Sequence, residues 1–447
     1  MNKKLAAAWC LLLIAVLIVG GGSAMSQGPQ PVLASPSEPN PLIAEMIAQV
    51  DSATVYQYDG DLSGENEVSI GGQPYTLYTR YSYSGEPVQK ATQFVYEHFE
   101  SLGLEVEYHD YNWAGYNWRN VVATKPGVTD PDDIYIVCAH VDSISNDPYN
   151  YAPGADDNAS GVTAVMIAAD ILSQYDFEYT IRFVTFTGEE QGLRGSHCYA
   201  QDAYNEGDDI LGALNLDMIA YDSDDQPIIE LHAGTGAGSI AIANLFSDVV
   251  DTYGIDLVPE IITAGATTRS DHASFWDYGY DAILAIEDWD DFTPYYHTTN
   301  DQLSSLNISY FTEFVKASVG TIASMSYPLP GKGYLEGTVT DASNSDPLLG
   351  VTLTIVNLEN GAQTTVSTQT TTSTDSNGYY TKTLSIGLYD VTAEASGYYS
   401  QTASGVEILA AEVTIQDFVL ARWYRVYVPL LFKSHWTKAG WNEIWAN

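Results

Sequence analysis

Five short stretches of the chain carry the histidine and acidic side chains that bind metals, and each lies beside a predicted strand or helix start. They are His140-Val-Asp142, Gly154-Ala-Asp-Asp-Asn-Ala-Ser-Gly161, Gly188-Glu-Glu-Gln191, Asn215-Leu-Asp217 and His297-Thr-Thr-Asn-Asp301. Taken singly, a histidine after a strand is more often structural, and a Glu-Glu pair is usually solvated surface. Imidazole nitrogen and carboxylate oxygen are nevertheless ligands that zinc prefers. Five such stretches together therefore indicate a metal site.

The elements that must position these side chains alternate between helix and strand over residues 41–328. Short apolar runs predict strands at 133–139, 180–187, 213–219, 228–232 and 282–287, and helical spacing predicts helices at 86–102, 159–172, 238–253 and 309–325. This alternation predicts an α/β fold with a mixed, mostly parallel sheet and helices on both faces. Because the carboxyl ends of such strands share one edge, we expect the five stretches to meet there.

The ordered set HVD, GADDNASG, GEEQGLRGS, NLDM, RSDHASF and YHTTND resembles the secreted bacterial leucyl-aminopeptidase family of co-catalytic di-zinc metallopeptidases, over about residues 41–328. The resemblance implies two Zn²⁺ ions per chain. It further implies that one ion is held by His140 and Asp217. The other would be held by Glu190 and His297, with Asp157 bridging the two.

The choice of Asp157 follows from the family pattern, in which the bridging aspartate lies three residues after a glycine, here Gly154. Its neighbour Asp156 is then interpreted as a loop carboxylate near a helix start.

Further roles are implied by the same resemblance. Glu189 is expected to be the general base that takes a proton from water and later gives it to the leaving amine, with a merely supporting carboxylate as its alternative. Asp142 is expected to orient the imidazole of His140. Tyr296 and Arg269 match positions that steady the tetrahedral intermediate and line the pocket in some members. From the residues alone, Tyr296 could equally be packing and Arg269 a surface ion pair.

The implied function is that of a zinc-dependent aminopeptidase whose substrates are peptides with a free N-terminus. A carboxypeptidase or dipeptidase of the same family is the alternative, but basic residues for a substrate carboxylate are scarce around these motifs. A glutaminyl cyclase would be expected to lack part of the two-metal set. A catalytically silent binding protein would have lost ligands or the base, whereas Glu189 and all five ligands are present.

The charge balance excludes other classes of partner. Lys and Arg number 16 against 58 Asp and Glu, which gives a formal net charge of −42. Such a chain repels nucleic acid and anionic membrane surfaces, so we expect neither as a partner. No particular oligomeric state is predicted.

The N-terminus predicts export. Lys3 and Lys4 precede an apolar run at 5–19 and small residues up to Ala24, which is typical of a signal peptide, here residues 1–26. The run is short for a bilayer span, so we expect a secreted or extracellular protein, with cell-surface association as an option and no stable membrane insertion after cleavage. Residues 27–40 are interpreted as a flexible leader. Cys138 and Cys198 then remain and are predicted to be free and buried.

The C-terminal part differs in composition. A linker at 329–333 precedes alternating Thr- and Val-rich strands at 334–421, which predict an all-β sandwich. The stretches GTVTDASNSDPLLGVTLTI and TDSNGYYT resemble the carboxypeptidase regulatory-like domain, which implies a role in stability, surface attachment or substrate docking. The tail at 422–447 receives no assigned role.

Overall fold

The computed structural model describes residues 39–358, 363–367, 378–409, 412–423, 426–429 and 441–444. The predicted signal peptide and all but the last two residues of the predicted leader lie outside the described residues, as does most of the tail. Among the helices of the described part, none has the length and apolar character that crossing a membrane requires.

The α-helices are α1 (Pro41–Ala48), α2 (Ser52–Leu62), α3 (Glu86–Ser101), α4 (Gly161–Leu172), α5 (Arg194–Glu206), α6 (Ala237–Tyr253), α7 (His272–Asp277) and α8 (Ile308–Ser326). The first ten strands are β1 (Val68–Ile70), β2 (Gln73–Tyr75), β3 (Glu105–Trp113), β4 (Tyr116–Lys125), β5 (Asp130–His140), β6 (Tyr179–Phe186), β7 (Asp209–Leu216), β8 (Ile228–His232), β9 (Val258–Ile262) and β10 (Ala282–Glu287). Short helical turns of other types occur at Ser82–Ser84, Ala155–Ser160 and Leu303–Ser305.

One eight-stranded sheet organises this part of the chain, in the order β3-β4-β6-β5-β7-β10-β8-β9. Its four middle strands β6, β5, β7 and β10 run parallel, while β4 and β8 join them antiparallel. The register aligns the strand ends, since His140 pairs with Phe186 and Leu216 pairs with Ala285. The loops after these strands therefore start at one level along one edge of the sheet.

Both faces of the sheet are covered. In β5, Tyr135 and Val137 belong to the core shared with α4, α6 and α8, whereas Ile136 and Cys138 belong to the core shared with α5 and α7. This alternation follows from the two-residue period of a strand. Helix α4 lies deep in the larger core and all of its residues except Asp170 are buried, as its nearly continuous apolar sequence requires. The predicted mixed α/β fold is confirmed.

The C-terminal strands are β11 (Lys332–Asp341), β12 (Thr352–Asn357), β13 (Gln363–Ser367), β14 (Tyr379–Ser385), β15 (Gly387–Glu394), β16 (Gln401–Ile408), β17 (Val413–Ile415), β18 (Phe418–Leu420), β19 (Val426–Pro429) and β20 (Trp441–Ile444). One sheet joins β14, β11, β17 and β18, and a second joins β13, β12, β15 and β16. Alternate residues of both, such as Leu335 and Leu353, share one buried cluster. The predicted all-β sandwich is therefore confirmed, and β19 pairs with β20 in antiparallel fashion.

The two cysteines of the described chain are free thiols, as predicted. Cys138 is buried in β5, but Cys198 is only half-buried. The prediction of burial is wrong for Cys198 because it lies in α5, a helix that covers one face of the sheet and keeps part of its surface in solvent.

Candidate metal centre

The five predicted ligands lie in one cluster at the carboxyl edge of the sheet. Nε2 of His140 is 3.2 Å from Oδ1 of Asp217 and 3.3 Å from Oδ1 of Asp157. On the other side, Nε2 of His297 is 3.2 Å from Oδ2 of Asp157 and 3.0 Å from Oε2 of Glu190. The two carboxylate oxygens of Asp157 thus face different histidines, which is the arrangement that a bridging ligand requires.

The donor atoms of this cluster fit zinc. Imidazole nitrogens and carboxylate oxygens form two groups of candidate ligand atoms. Within each group these atoms all lie within 4.8 Å of one another. One group is formed by His140, Glu189 and Asp217, and the other by Asp157, Glu190 and His297. Oε1 of Glu190 is buried and makes no hydrogen bond within the described structure, so it is free to bind an ion.

The electrostatics favour a cation at the same place. Burial, followed by the charge of Asp157, raises the pKa of Glu190 to about 8. Burial lowers the pKa of both histidines, but the surrounding carboxylates outweigh it: they raise the pKa of His297 to about 10 and that of His140 well above its ordinary value. Acidic groups are thus crowded together, and a divalent cation would relieve their repulsion.

The loop that carries Asp157 is fixed from two directions. The backbone N–H groups of Asp156 and Asp157 donate to the two carboxylate oxygens of Asp301, at 2.8 and 3.0 Å. Gly154 begins the loop with a φ of 51°, a conformation that favours glycine, and a side chain there would collide with the carbonyl oxygen of Asp157. The carboxylate of Asp156 accepts a hydrogen bond from the N–H of Ala220 and belongs to neither ligand group.

A fully buried arginine joins the two metal-binding loops. Nε of Arg80 donates to the carbonyl of Val141, and Nη2 donates to the carbonyl of Gly154, at 2.8 and 2.9 Å. Nη1 donates to the carbonyls of Leu62 and Pro153. Arg80 could not be recognised from the sequence because its partners are backbone groups scattered along the chain, which leave no motif.

The structure changes the expected role of Asp142. Nδ1 of His140 lies 3.0 Å from the backbone carbonyl of Asp142, whereas the carboxylate is 3.7 Å away, beyond hydrogen-bond distance. That carboxylate accepts instead from the N–H of Glu189 and the hydroxyl of Ser82. Asp142 therefore contacts His140 through its backbone, and its side chain holds the loop that carries Glu189.

The side chain of Ser270 holds Asp217, which lies beside His140 in the cluster. Oγ of Ser270 donates to Oδ2 of Asp217 at 2.5 Å and accepts from Nδ2 of Asn215 at 2.7 Å. Ser270 stands in the RSDHASF motif, but the motif alone assigned it no role. The next histidine, His272, is buried and 2.9 Å from the carbonyl of Thr267, so it supports the loop rather than the ion.

A pocket of about 260 Å³ opens beside the cluster. Its apolar wall is built by Met218, Leu284, Ile286, Trp289, Phe292 and Tyr296, and its polar wall includes Glu189, Thr267, Arg269 and Ser270. The ring of Tyr296 stacks on His297 with centroids 3.6 Å apart, and burial raises the pKa of its phenol. Tyr296 is thus packed and lines the pocket with its phenol protonated, while Arg269 is exposed at the pocket wall.

Comparison with known sequences identifies the class. Residues 120–321 match Peptidase family M28, and residues 334–421 match the Carboxypeptidase regulatory-like domain. Residues 120–321 thus carry the sequence pattern of Peptidase family M28, and residues 334–421 carry that of a carboxypeptidase regulatory-like domain, so the predicted resemblance is confirmed. By class it is therefore a metallopeptidase, a hydrolase of peptide bonds.

Two relatives that match much of the chain are both named leucine aminopeptidase 1. Leucine aminopeptidase 1 of Paracoccidioides brasiliensis is 26% identical over 317 residues, which cover 65% of this chain and 78% of the relative. Leucine aminopeptidase 1 of Ajellomyces capsulatus is 27% identical over 279 residues, which cover 56% and 68%.

Solved structures share the fold. LapB from Legionella pneumophila superposes with a TM-score of 0.55 at 20% identity, over 67% of this chain and 78% of LapB. BSAP, a zinc aminopeptidase from Bacillus subtilis, superposes with a TM-score of 0.53 at 14% identity, over 62% of this chain and 96% of BSAP.

Proposed function

We propose that the protein is a secreted aminopeptidase that binds two zinc ions and removes N-terminal residues from peptides. The observation that carries the proposal is the position of Asp157, whose two carboxylate oxygens face His140 on one side and His297 on the other. The names of the curated relatives, which are leucine aminopeptidases, support the choice of reaction.

In this proposal His140 and Asp217 hold one ion, Glu190 and His297 hold the other, and Asp157 binds both. When bound, the ions supply Lewis acidity that polarises a scissile carbonyl and makes water a stronger nucleophile near neutral pH.

Glu189 carries the proton in the proposed reaction. Its carboxylate lies with His140 and Asp217, and its backbone N–H is held by Asp142. Burial, with the neighbouring Asp217 adding to it and His140 opposing it, raises the pKa of Glu189 well above its ordinary range. A carboxyl group with a raised pKa retains a proton more readily than a solvated one, which suits transfer from water to a leaving amine.

Tyr296 is proposed to steady the oxygen on which negative charge develops. Its phenol lines the pocket, and burial together with the charges of Asp157 and Glu190 keeps it protonated. A hydrogen-bond donor fixed before the reaction lowers the barrier more than one that must reorient.

The substrate is proposed to place its first side chain in the 260 Å³ pocket, whose apolar wall suits Leu, Met or Phe. The free amine then lies among the carboxylates of the cluster, which favour a cation. N-terminal selectivity follows, because an acetylated amine carries no charge.

Export and domain roles also remain our proposals. The sequence at 1–26 supports secretion, and residues 41–328 hold every proposed catalytic group, while the sandwich at 334–421 holds none of them. We propose that the sandwich serves stability, attachment or docking.

The test is hydrolysis of leucyl-nitroanilide by the full chain, with and without a chelator. We expect hydrolysis that the chelator abolishes and added zinc restores, and no hydrolysis of the N-acetylated substrate. Activity only on peptides with a free carboxylate would favour the carboxypeptidase or dipeptidase alternative. Zinc binding without any hydrolysis would indicate a silent binding protein.

A further inference from the structure

A row of aromatic rings lies beside the loops that carry the metal-binding cluster. Starting at the loop after β5, the rings follow the order Tyr149, Tyr81, Tyr83 and Trp118, with centroids 5.2, 5.7 and 5.0 Å apart in that order. Tyr116 lies beside the row, 4.7 Å from Tyr83, and 51% of its surface is exposed. We call these five residues the aromatic row.

The row ends in a second cavity of about 330 Å³, slightly larger than the pocket beside the metal cluster. Tyr83, Tyr116 and Trp118 form its aromatic wall, and Gln89 and Asn117 contribute amide groups. The guanidinium of Arg119 also lines the cavity, but it is engaged: it donates to Thr92 and to the carbonyl of Gln89 and lies 3.8 Å over the ring of Tyr108. The exposed carboxylate of Asp110 lies at the cavity wall as well, and the remaining lining is mainly ring faces, neutral amides and hydroxyl groups.

The cavity wall is joined to the catalytic loops. Ser82, which stands between two residues of the aromatic row, donates to Oδ2 of Asp142 and accepts from the N–H of Gly188. Trp118 packs against the same glycine, since a side chain at Gly188 would come within 3.0 Å of its ring. The cavity therefore adjoins the turn that presents Glu189.

The sheet order places the two cavities on opposite sides of the metal cluster. The cavity at the row is lined from β3, β4 and the start of α3, whereas the pocket is lined from β7, β10 and the loop before α7. Strands β6 and β5, which carry the loops of Glu189 and His140, lie between β4 and β7. A substrate with its first side chain in the pocket would thus extend across the cluster toward the row.

We propose that the cavity at the aromatic row is a subsite for an apolar or aromatic residue on the leaving side of the peptide substrate. This inference rests on the proposed aminopeptidase function. The ring-to-ring steps from Tyr81 to Trp118 add up to roughly 11 Å, and an extended peptide spans about 3.3–3.6 Å per residue. The row thus spans about three residues of an extended peptide, all of them on the leaving side.

The chemistry suits that occupant. Aromatic rings bind other rings and apolar side chains in offset or edge-on contacts. The side-chain amide of Gln89 can pair with a peptide backbone, which carries one donor and one acceptor per residue, and Nδ2 of Asn117 can donate to it, since Oδ1 of Asn117 already accepts from Asn112.

The experiment compares substrates of different length on the full chain. Leucyl-nitroanilide fills the pocket and reaches no further than the position next to the scissile bond, whereas glycine pentapeptides with N-terminal leucine and a single Phe moved from position two to five probe the whole leaving side. The variant is Tyr116→Ala, which removes an exposed ring. Tyr116→Phe keeps the ring, and Tyr204→Ala removes an equally exposed ring from α5, away from the cavity.

We expect wild type to prefer peptides that carry Phe at one leaving-side position, between two and five, over peptides with glycine there. Tyr116→Ala should reduce kcat/KM for those peptides about three- to tenfold, with leucyl-nitroanilide unchanged. Tyr116→Phe and Tyr204→Ala should leave both values unchanged. The inference is overturned if wild type shows no dependence on the Phe position, or if Tyr116→Ala lowers leucyl-nitroanilide hydrolysis equally. Failure of wild type to hydrolyse any of these substrates would overturn the proposed function itself, and this inference with it.

Discussion

The two sides of the metal-binding cluster differ in how firmly the fold holds them. His140 ends β5 and Asp217 directly follows β7, and these two strands pair with each other in the middle of the sheet. Glu190 lies in a turn after β6, and His297 lies in a loop ten residues beyond β10. The side chain of His140 is 1% exposed, whereas that of His297 is 37% exposed.

The supporting contacts differ in the same direction. The imidazole of His140 is fixed by the backbone of Asp142, and the carboxylate of Asp217 is fixed by Ser270. His297 is held by the stacked ring of Tyr296 and by the carboxylates of the cluster. We infer that the His140 side is preorganised, and that the His297 side gains more of its order when an ion binds, so its ion should bind more weakly.

The largest effect is expected from removing the residue that the two sides share. Asp157→Ala should reduce bound zinc on both sides and abolish hydrolysis, because each carboxylate oxygen faces a different histidine. Metal analysis of purified protein checks this, with Asp132→Ala at the exposed start of β5 as the control. Two tightly bound ions in Asp157→Ala would show that Asp157 is not the bridging ligand, and Asp156 would become the candidate for that role.

Glu189→Gln should separate proton transfer from metal binding. Loss of a positioned acid–base group costs about 10²–10⁴ in kcat, and the amide should leave both ions bound because the five proposed ligands remain. Parallel measurements of kcat and of zinc content test this, with Glu206→Gln on α5 as the control. Zinc lost in proportion to activity would make Glu189 a ligand instead of the base.

Two histidine substitutions examine the difference between the sides directly. His297→Ala should leave one ion bound through His140, Asp217 and Asp157, whereas His140→Ala should also weaken the packing of a buried strand end. Equilibrium dialysis and thermal unfolding compare the two variants. We expect the larger fall in melting temperature for His140→Ala, and equal falls would contradict the proposed asymmetry.

The same difference explains what could be predicted from the sequence. Strands at Ile228–His232 and Ala282–Glu287 begin and end where the sequence predicts. The second is buried throughout, and such strands leave an almost continuous apolar sequence. The ligand loops were predictable because strand ends converge at one edge. Strand β3 was missed because it lies at the sheet edge, partly exposed on both faces, and its sequence EVEYHDYNW lacks such a run.

Supporting contacts were harder to predict than ligands. The hydrogen bonds from Arg80 to backbone carbonyls and from Ser270 to Asp217 join residues more than fifty positions from each other in the sequence. The bond from Arg80 to Leu62 is the exception among them. Backbone acceptors occur at every residue and so leave no trace in the sequence.

The smallest effect is expected from removing the sandwich. A chain that ends at Pro330 keeps every proposed ligand, as well as the pairing of Phe177 with Pro328. We expect it to fold and to hydrolyse leucyl-nitroanilide with kcat/KM close to that of the full chain. A truncated protein that is folded by circular dichroism but inactive would show that the sandwich completes the site.

The central claim, a two-ion centre with unequal sides bridged by Asp157, is tested most directly by returning zinc to the chelated full chain while bound metal and leucyl-nitroanilide hydrolysis are measured together. We predict saturation at two ions per chain, with the second bound more weakly and most of the activity appearing as it binds. Saturation at one ion with full activity, or two ions bound with indistinguishable affinity, would contradict the account.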